Sequence, residues 1–506
     1  MKIPLAWWAR SWSKIMMAPV FSLADTVWYI AAIYILNMMF IIAIIFAERK
    51  SPSATLAWIL VLAFIPIVGF IFYIVFNQNF SRSKINKLTD REEYVASNAL
   101  KQQIEDLDTG ELEFNCEETN NWKRLIKLNQ VYGHSYYTQD NNVELITDGN
   151  DLTAQMIEDI RNAKNFVHVE YFIVKNDAVG TGLIDLLTQK AREGLEVRLL
   201  LDALGSRSIN RFVVADYLKA GSKIGYFFQP KLWFIAPKFN YRNHRKIVVI
   251  DGEIGYTGGY NVAREYIGRK KRFGYWRDTH VRITGGAVAD LNTRFVLDWR
   301  FTTHEEIGFF QPYFSGWGSG EAGQSGVQIV SCGPESPAEE VKRAMMRMIT
   351  YAEKRVWLQT PYFVPDPAIF ESLKMAAQSG VDVRVMIPCK PDHIFVYWAT
   401  YSYVGELLRS GGRAFIYDNG FLHAKTLVVD GEVGTVGSTN FDNRSFRLNF
   451  ETNAFVFDPK FAKEMEDAFE FDLEANGHEL TYEDYLKRGP IIKFKEAISR
   501  LLSDIL

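Results

Sequence analysis

The feature that most constrains the fold is an internal repeat. The first copy consists of AKNFVHVEYFIV (163–174) and LIDLLTQKAREGLEVRLLLD (183–202), and the second of AEKRVWLQTPYFVP (352–365) and IFESLKMAAQSGVDVRVMIP (369–388). In each copy a strand rich in β-branched and aromatic residues precedes an amphipathic helix that ends at Gly194 or Gly380, and a buried strand follows. Such units build layered domains, so the repeat predicts an α/β fold with two tandem pseudo-symmetric domains, each a mixed sheet flanked by helices.

The segments around the repeats set the predicted domain boundaries. SGWGSGEAGQSG (315–326) has the composition of a linker. The predicted boundaries are 81–135 for a polar linker, 136–306 for the first domain, 307–326 for the second linker, 327–475 for the second domain and 476–506 for a C-terminal helix. Apolar residues recur there at helical spacing: Ile492, Ala497, Ile498, Leu501, Leu502 and Ile505. Such a helix more often docks on a domain core than on a membrane.

Two long uncharged runs precede the repeats. They cover 26–47 and 51–81, and each exceeds the ~20 apolar residues that a membrane-spanning helix needs. Only the charged residues 48–50 separate them. The pattern predicts a transmembrane hairpin within 26–80, with spans at about 26–47 and 54–76. A cleaved signal peptide is disfavoured, because the first run is too long and no small-residue cleavage site follows it.

The second run contains two residues that disturb a helix, Pro66 and Gly69. They are expected to kink it, because proline removes a backbone donor from the helix interior. A re-entrant segment is the alternative to a second span.

Basic residues around the two runs predict the orientation. Three precede the first run, two lie between the runs and four follow the second: Lys2, Arg10 and Lys14; Arg49 and Lys50; and Arg82, Lys84, Lys87 and Arg91. Because cytoplasmic loops carry the excess of lysine and arginine, both ends of a two-span chain are predicted in the cytoplasm. Residues 1–25 combine Trp7, Trp8 and Trp12 with basic residues, which indicates an interfacial helix or, alternatively, an unstructured N-terminus.

Each repeat ends in the same chemical motif. The first is HRKIVVIDGEIGYTGGYN (244–261) and the second is HAKTLVVDGEVGTVGSTN (423–440). A single HxKxxxxD pattern is weak evidence for a site, but two copies at matching places in two repeated domains are strong. The candidate catalytic residues are His244, Lys246, Asp251, His423, Lys425 and Asp430, and the candidate substrate-binding residues are Asn261, Ser438 and Asn440.

The spacing within each motif predicts its geometry. Residues two apart on a strand face the same side, so the histidine and lysine of each motif are expected to project together. Asp251-Gly252 and Asp430-Gly431 are typical of hairpin turns, and both aspartates therefore have an alternative role as turn formers. Two pseudo-symmetric domains can bring the strand pairs face to face. The predicted pocket holds two imidazoles and two ammonium groups.

That pocket suits a phosphodiester. One histidine can attack phosphorus and form a covalent phosphohistidine, while the other protonates the leaving alkoxide and later deprotonates the incoming alcohol. Lysines and asparagines can hold the non-bridging oxygens. The sequence offers no carboxylate cluster for a metal, the three cysteines have no metal or disulfide spacing, and no cofactor is expected. The motifs alone do not rank the two histidines.

Two acidic residues are candidates for orienting the histidines. Asp278 in WRDTHV and Glu451 in LNFETN lie in matching places after the first and second motif. A carboxylate that accepts a hydrogen bond from one ring nitrogen fixes the tautomer of the imidazole and stabilises the imidazolium. An ordinary solvated acid is the alternative at both positions.

Aromatic and basic segments near the motifs are candidates for contact with lipid. KLWFIAPKF (231–239) precedes the first motif and IFVYWATYSYVGELL (394–408) precedes the second. Either could receive acyl chains at the mouth of the pocket, although core packing is the alternative for the second. The basic run 269–272 could attract anionic headgroups or be a solvated loop.

The paired motifs resemble those of the phospholipase D superfamily, and nearly the whole chain is similar to bacterial cardiolipin synthases. The stretches that carry this resemblance are ERKSPSATLAWILVLAFIPIVG (48–69), NYRNHRKIVVIDG (240–252), FGYWRDTHVRITG (273–285) and FLHAKTLVVDGEVGTVGSTNFDNRSFRLNFE (421–451). The resemblance implies transfer of a phosphatidyl group between two phosphatidylglycerols, which gives cardiolipin and glycerol, with His244 as nucleophile and His423 as acid and base. It also implies a multi-pass protein of the bacterial cell membrane whose partners are membrane phospholipids. Ala203 in DALGS departs from the glycine more usual in the family.

Three other functions share parts of this pattern. A membrane phospholipase D would hydrolyse phospholipid to phosphatidic acid with the same motifs. A nuclease of the superfamily is disfavoured by the apolar runs and by a net charge of -3, and no nucleic-acid partner is expected. A non-catalytic membrane scaffold is disfavoured because both motifs are intact.

Overall fold

The computed structural model describes residues 23–47, 52–76, 90–229, 240–268, 272–308, 313, 323–336 and 338–503. These residues fall into an N-terminal unit that ends at Phe76 and a larger unit that begins at Asp90. The predicted interfacial helix over 1–25 lies almost entirely outside the described residues, as do the aromatic segment 231–239 and most of the basic run 269–272.

The N-terminal unit is helical. Its helices are α1 (Leu23–Ala47), α2 (Pro52–Phe64) and α3 (Pro66–Phe76). By length and composition α1 is the one helix among the described residues that could cross a membrane, with the candidate span Val27–Phe46. This matches the first predicted span.

The second apolar run is not a single helix. A Cβ on Gly69 would lie 3.0 Å from the carbonyl oxygen of Val61, and the rings of Trp58 and Tyr73 are 5.4 Å apart, so α3 folds back along α2. At 1.5 Å per residue neither short helix reaches across the ~30 Å hydrocarbon core. Residues 52–76 therefore take the re-entrant form that was the alternative to a second span, and the span over 54–76 stays a prediction.

The fold-back has a local cause at Pro66. Proline has no N–H, so the carbonyl of Leu62 loses its usual helical donor four residues later. The side chain of Asn37 in α1 donates a hydrogen bond of 2.8 Å to that carbonyl. A buried polar side chain thus satisfies the backbone group that the break exposes within an apolar unit.

The larger unit begins with α4 (Asp90–Thr109), a 3-10 helix (Glu117–Trp122) and α5 (Lys123–Gly133). The elements of its first half are β1 (Thr138–Ile146), α6 (Gly149–Asn162), β2 (Phe166–Tyr171), α7 (Ala178–Arg192), β3 (Glu196–Asp202), α8 (Ala215–Lys219), β4 (Lys223–Phe227), β5 (Arg242–Asn243), β6 (Lys246–Ile250), β7 (Ile254–Gly258), β8 (Trp276–Arg277), β9 (His280–Thr284) and α9 (Ala287–Thr303).

The elements of the second half are β10 (Ser325–Cys332), α10 (Glu340–Tyr351), β11 (Arg355–Gln359), β12 (Phe363–Val364), α11 (Pro367–Gln378), β13 (Asp382–Pro388), α12 (Ile394–Arg409), β14 (Arg413–Tyr417), β15 (Phe421–Leu422), β16 (Thr426–Val429), β17 (Val433–Gly437), β18 (Phe441–Asp442), α13 (Asn443–Arg447), β19 (Asn449–Phe457), α14 (Pro459–Asn476), β20 (Gly477–Leu480), α15 (Tyr482–Leu486) and α16 (Pro490–Leu501).

The strand order shows the pseudo-symmetry that the repeat predicts. One sheet runs in the order β4-β3-β2-β6-β7-β9-β1-β10-β19-β17-β16-β11-β13-β14-β20. The two halves meet where β1 pairs antiparallel with β10, and outward from there the order of the first half is repeated by the second. In the first half β2, β3 and β4 are parallel to one another, and β6 is antiparallel to β2. In the second half β11, β13 and β14 are parallel to one another, and β16 is antiparallel to β11. The predicted tandem α/β fold with mixed sheets is confirmed.

The C-terminal region differs from the single helix predicted over 476–506. The edge strand β20 pairs antiparallel with β14, so the second half of the sheet continues past residue 475. The short helix α15 then leads to α16. Ile498 and Leu501 of α16 are exposed, although the sequence favoured a helix docked on the core through its apolar residues.

Candidate active site

Both motif histidines lie just before a central strand, where the two halves meet. His244 precedes β6 and His423 precedes β16. The backbone N–H of His244 donates to the carbonyl of Phe450 at 2.9 Å, and that of His423 donates to the carbonyl of Arg277 at 2.7 Å. Short parallel pairings of β5 with β19 and of β15 with β8 surround these bonds. Each histidine is therefore held by a strand of the opposite half.

The orienting carboxylates also come from the opposite half. His244 Nδ1 lies 2.9 Å from Glu451 Oε2, and His423 Nδ1 lies 2.5 Å from Asp278 Oδ2. Both carboxylates are fully buried. In the sequence each acid follows one motif, but the structure pairs them crosswise, so Asp278 contacts His423 and Glu451 contacts His244.

The protonation states follow from burial and charge. Burial lowers the pKa of His244 to about 4, although the Glu451 carboxylate opposes the shift. Burial alone would raise the pKa of Glu451, but the contact of its carboxylate with His244, the charge of Lys246 and the hydrogen bond from Ser438 outweigh burial and leave that pKa lowered. At neutral pH a neutral imidazole therefore donates its Nδ1 proton to an ionised carboxylate. The lone pair of Nε2 is then available for attack on phosphorus.

The two lysines are buried beside the histidines. Lys246 Nζ donates to the backbone carbonyl of His244 at 2.6 Å, and Lys425 Nζ donates to that of His423 and lies 2.8 Å from His423 Nδ1. Burial, together with the charge of Lys425, lowers the pKa of Lys246 to about 7. Burial lowers the pKa of Lys425 to about 8. An anionic ligand would reverse these shifts, which is the behaviour expected of a phosphate site.

The motif aspartates lie at the far ends of the strands. Asp251 and Asp430 have φ of 55° and 57°, and each occupies the first central position of the predicted hairpin turn. The Asp251 carboxylate accepts three backbone N–H bonds of 2.7, 2.7 and 2.9 Å at the start of β2. Asp430 does the same at the start of β11, with three bonds of 2.8 Å. These contacts favour the alternative role of both aspartates as turn formers, because each carboxylate ties its hairpin turn to the start of a neighbouring strand.

The candidate substrate-binding residues differ in their contacts. Ser438 donates to Glu451, and its carbonyl oxygen lies 3.1 Å from His244 Nδ1, so these contacts favour positioning of the His244–Glu451 pair over substrate binding. Asn261 accepts from the N–H of Ile173 at 3.1 Å. Asn440 is 5% exposed, and its side-chain oxygen has no hydrogen-bond partner among the described residues. Of these three residues, Asn440 is therefore the one with a side-chain oxygen that could still accept a hydrogen bond.

The two halves of the site are not identical. At Gly259 a Cβ would lie 1.9 Å from Asp278 Oδ1, so glycine is the residue that this approach allows. The second motif has Ser438 at the matching position, where the hydroxyl bonds the carboxylate of Glu451. The pairs Gly259–Asp278 and Ser438–Glu451 thus give different surroundings to two histidines that hold the same place in their motifs.

Sequence reasoning missed the role of Arg245. Its side chain is fully buried and does not share the direction of His244 and Lys246. It donates to Asp298 at 2.7 Å and to the backbone carbonyls of Glu451 and Cys332 at 3.2 and 3.1 Å. Arg245 therefore fixes the strand that carries Glu451. The signal in the sequence was the charge of Arg245 between His244 and Lys246, where the second motif has Ala424. A charged side chain at that position indicates a buried partner for its charge.

Aromatic rings form the walls around both histidines. Phe172 lies 4.9 Å from the ring of His244, while Trp276 lies 5.2 Å from the ring of His423. The aromatic segment before the second motif forms α12, and residues such as Tyr403 are buried in the core, whereas Ile394 and Phe395 are exposed. Core packing thus accounts for most of that segment.

Comparisons with known proteins identify the family. The model described as "Cardiolipin synthase, PLD-like domain" matches residues 156–273 and 345–473, and the one described as "Phospholipase_D-nuclease N-terminal" matches 35–77. The major cardiolipin synthase ClsA of Bacillus subtilis is 47% identical over 94% of this chain and 98% of its own length. The cardiolipin synthase of Listeria innocua is 47% identical over 93% of this chain and 98% of its own length.

A solved structure shows the same fold. The phosphatidylserine synthase of Haemophilus influenzae aligns with 76% of this chain and all of its own, with a TM-score of 0.58 and 15% identity. Together with two motifs placed in two pseudo-symmetric domains, the matches over nearly the full length establish that the chain belongs to the cardiolipin synthase family of proteins with tandem phospholipase D-like domains.

Proposed function

We propose that the protein is a cardiolipin synthase that transfers the phosphatidyl group of one phosphatidylglycerol to another and releases glycerol. The observation that carries this proposal is the crossed arrangement of two histidine–carboxylate pairs with two buried lysines between them. That arrangement supplies a nucleophile, an acid and base, and a positive pocket for one phosphodiester. The relatives named above support the choice of lipid.

In the first step His244 Nε2 attacks the phosphorus of one phosphatidylglycerol. A phosphorus–nitrogen bond forms, the bond to the glycerol headgroup oxygen breaks, and His423 gives that oxygen a proton. Burial lowers the pKa of His423, but the negative charge of the bound phosphate and of Asp278 favours its protonated form. Lys246 and Lys425 stabilise the charge that grows on the non-bridging oxygens.

In the second step a hydroxyl of the second phosphatidylglycerol gives its proton to His423. Its oxygen attacks phosphorus and the phosphorus–nitrogen bond breaks, which frees His244. Each step exchanges one bond to phosphorus for another, so the number of phosphodiesters is conserved and the reaction needs no nucleotide. The 8% and 7% exposure of the two histidines supports transfer to a lipid alcohol, because a buried site limits the access of water.

The proposed location is the bacterial cell membrane, with the catalytic domains in the cytoplasm. For a chain with two spans the distribution of basic residues favours both ends inside. If α1 is the one span and α2–α3 is re-entrant, the six basic residues at 49–50 and 82–91 lie on the catalytic side and the three at 2–14 on the other. The excess of basic residues supports a cytoplasmic catalytic side in both cases, although the single-span form replaces the expected multi-pass one.

Product analysis tests the proposal. The purified full-length protein in vesicles of labelled phosphatidylglycerol should form cardiolipin and glycerol. Rapid quenching without acid, followed by peptide mapping, should find the phosphatidyl group on His244, and His244→Ala should abolish it. Phosphatidic acid as the main product would establish the hydrolase instead, and labelling of His423 alone would reverse the assigned roles.

A further inference from the structure

The last helix of the chain, α16, exposes an apolar face. Ile491, Phe494, Ile498 and Leu501 are 71%, 66%, 41% and 80% exposed. Their spacing of three, four and three residues places them on one side of the helix. No other part of the described protein covers that side.

The residues of α16 that are most buried lie on the opposite face, and they are polar. Glu496 and Ser499 of the helix, and Ser503 just beyond its end, are 4%, 1% and 8% exposed. Glu496 pairs with Arg488, and the hydroxyl of Tyr403 in α12 donates to Ser503 at 3.2 Å. A helix on the surface of a soluble domain buries its apolar face and exposes its polar one. In α16 this order is reversed, and polar contacts hold the apolar face outward.

Two lysines flank the centre of the apolar face. Lys493 and Lys495 lie on either side of Phe494 in the sequence and are exposed. Lys493 Nζ donates to the carbonyl of Leu486, and Lys495 Nζ lies 5.2 Å from the ring centre of Trp398. Neither lysine forms an ion pair with a carboxylate among the described residues. The one acidic residue of the helix, Glu496, is on the buried face.

We propose that this face of α16 docks on the surface of an anionic phospholipid bilayer. An exposed apolar stripe bordered by lysines is the composition of an interfacial helix, whose side chains enter the boundary between headgroups and acyl chains. Anionic headgroups complement the two lysines. A second copy of the chain fits poorly, because a symmetric contact through Phe494 would bring the lysines of both copies together without an acidic partner. The inference does not depend on the proposed reaction.

A spin label at Phe494 tests the proposal. Full-length protein carrying Phe494→Cys, with the partly exposed Cys116 and Cys389 replaced by serine, is placed in nanodiscs of phosphatidylcholine with or without phosphatidylglycerol. In discs with phosphatidylglycerol, the ratio of collisions with oxygen to collisions with a water-soluble nickel complex should rise several-fold. Lys493→Glu with Lys495→Glu should remove the rise, while Lys493→Arg with Lys495→Arg should keep it.

The same measurement identifies the alternatives. If the nickel complex keeps full access in both kinds of disc, α16 is solvated and the proposal is overturned. If the label becomes immobile to the same extent in both kinds of disc, a protein surface covers the helix and the proposal is again overturned. Because no turnover is measured, the result stands whether or not the protein makes cardiolipin.

Discussion

Nδ1 of His244 lies 2.9 Å from Oε2 of Glu451, although 207 residues separate them in the chain and they belong to different halves of the molecule. The reciprocal pair is His423 with Asp278. Each half therefore supplies a reacting imidazole to one pair and an orienting carboxylate to the other. It follows that neither half alone holds a complete catalytic pair.

The crossed pairing predicts different failures for the two acids. In Glu451→Gln the imidazole of His244 loses its anionic partner, so formation of the covalent intermediate should slow by ~10²–10⁴-fold. In Asp278→Asn the support for protonated His423 is lost instead. A substrate with a good leaving group needs no acid and should restore the burst of intermediate in Asp278→Asn alone. Single-turnover measurements on both variants check this, and restoration in Glu451→Gln would assign the roles the other way.

The motif aspartates should affect stability more than chemistry. Asp251→Ala removes the acceptor of three backbone N–H bonds and places alanine at a φ of 55°, so the free energy of unfolding should fall by ~1–3 kcal/mol. Asp251→Asn keeps an oxygen acceptor and tolerates this backbone conformation, and should lose less. Thermal unfolding and activity per folded molecule measure the two effects. A large loss of kcat in fully folded Asp251→Asn would contradict the structural role.

Periodicity in the sequence was enough to predict the strands, the helices between them, the hairpin turns and the two His–Lys pairs. The partner of each histidine could not be predicted, since strand alternation tells which face a side chain occupies but not which domain it meets. Pro66 marked the break in the second apolar run. The direction in which α3 then turns could not be predicted, because it involves the close approach of Gly69 to Val61. The apolar spacing of α16 predicted a helix, but its outward direction depends on polar contacts such as that of Ser503 with Tyr403.

The lowered lysine and histidine pKa values predict a bell-shaped pH profile. Below about pH 4 His244 becomes protonated and cannot attack phosphorus. As pH rises through the lowered pKa of His423 the free enzyme loses the acid that protonates the leaving group, and through about 7 to 8 Lys246 and Lys425 lose the charges that bind the anionic phosphodiester. kcat/KM should therefore fall on both sides of this window. The alkaline limb of kcat should lie at higher pH, because bound phosphate stabilises the charged lysines, and coincident limbs would contradict this account.

The fold-back of α3 along α2 predicts the side of the membrane on which the N-terminus lies. With α1 as the single span, a cysteine at Ser13 should react with an impermeant maleimide in intact cells, while cysteines at Arg49 and at Lys84 should not. With two spans the cysteine at Arg49 would react and that at Ser13 would not. Protection at Lys84 in both cases is the internal control, and labelling there would place the catalytic domains outside.

Reversal by glycerol gives the sharpest test of the acceptor. A phosphatidyl-histidine can be attacked by any hydroxyl that reaches it, and bulk water is present at tens of molar, so a synthase must exclude water and orient the alcohol. The buried histidines and their aromatic walls, Phe172 and Trp276, favour such a site. Since the reaction exchanges one phosphodiester for another, it lies near equilibrium. Excess glycerol added to purified protein and cardiolipin should regenerate phosphatidylglycerol without nucleotide. If glycerol has no effect and phosphatidic acid accumulates at every lipid density, water is the natural acceptor and the protein is a hydrolase.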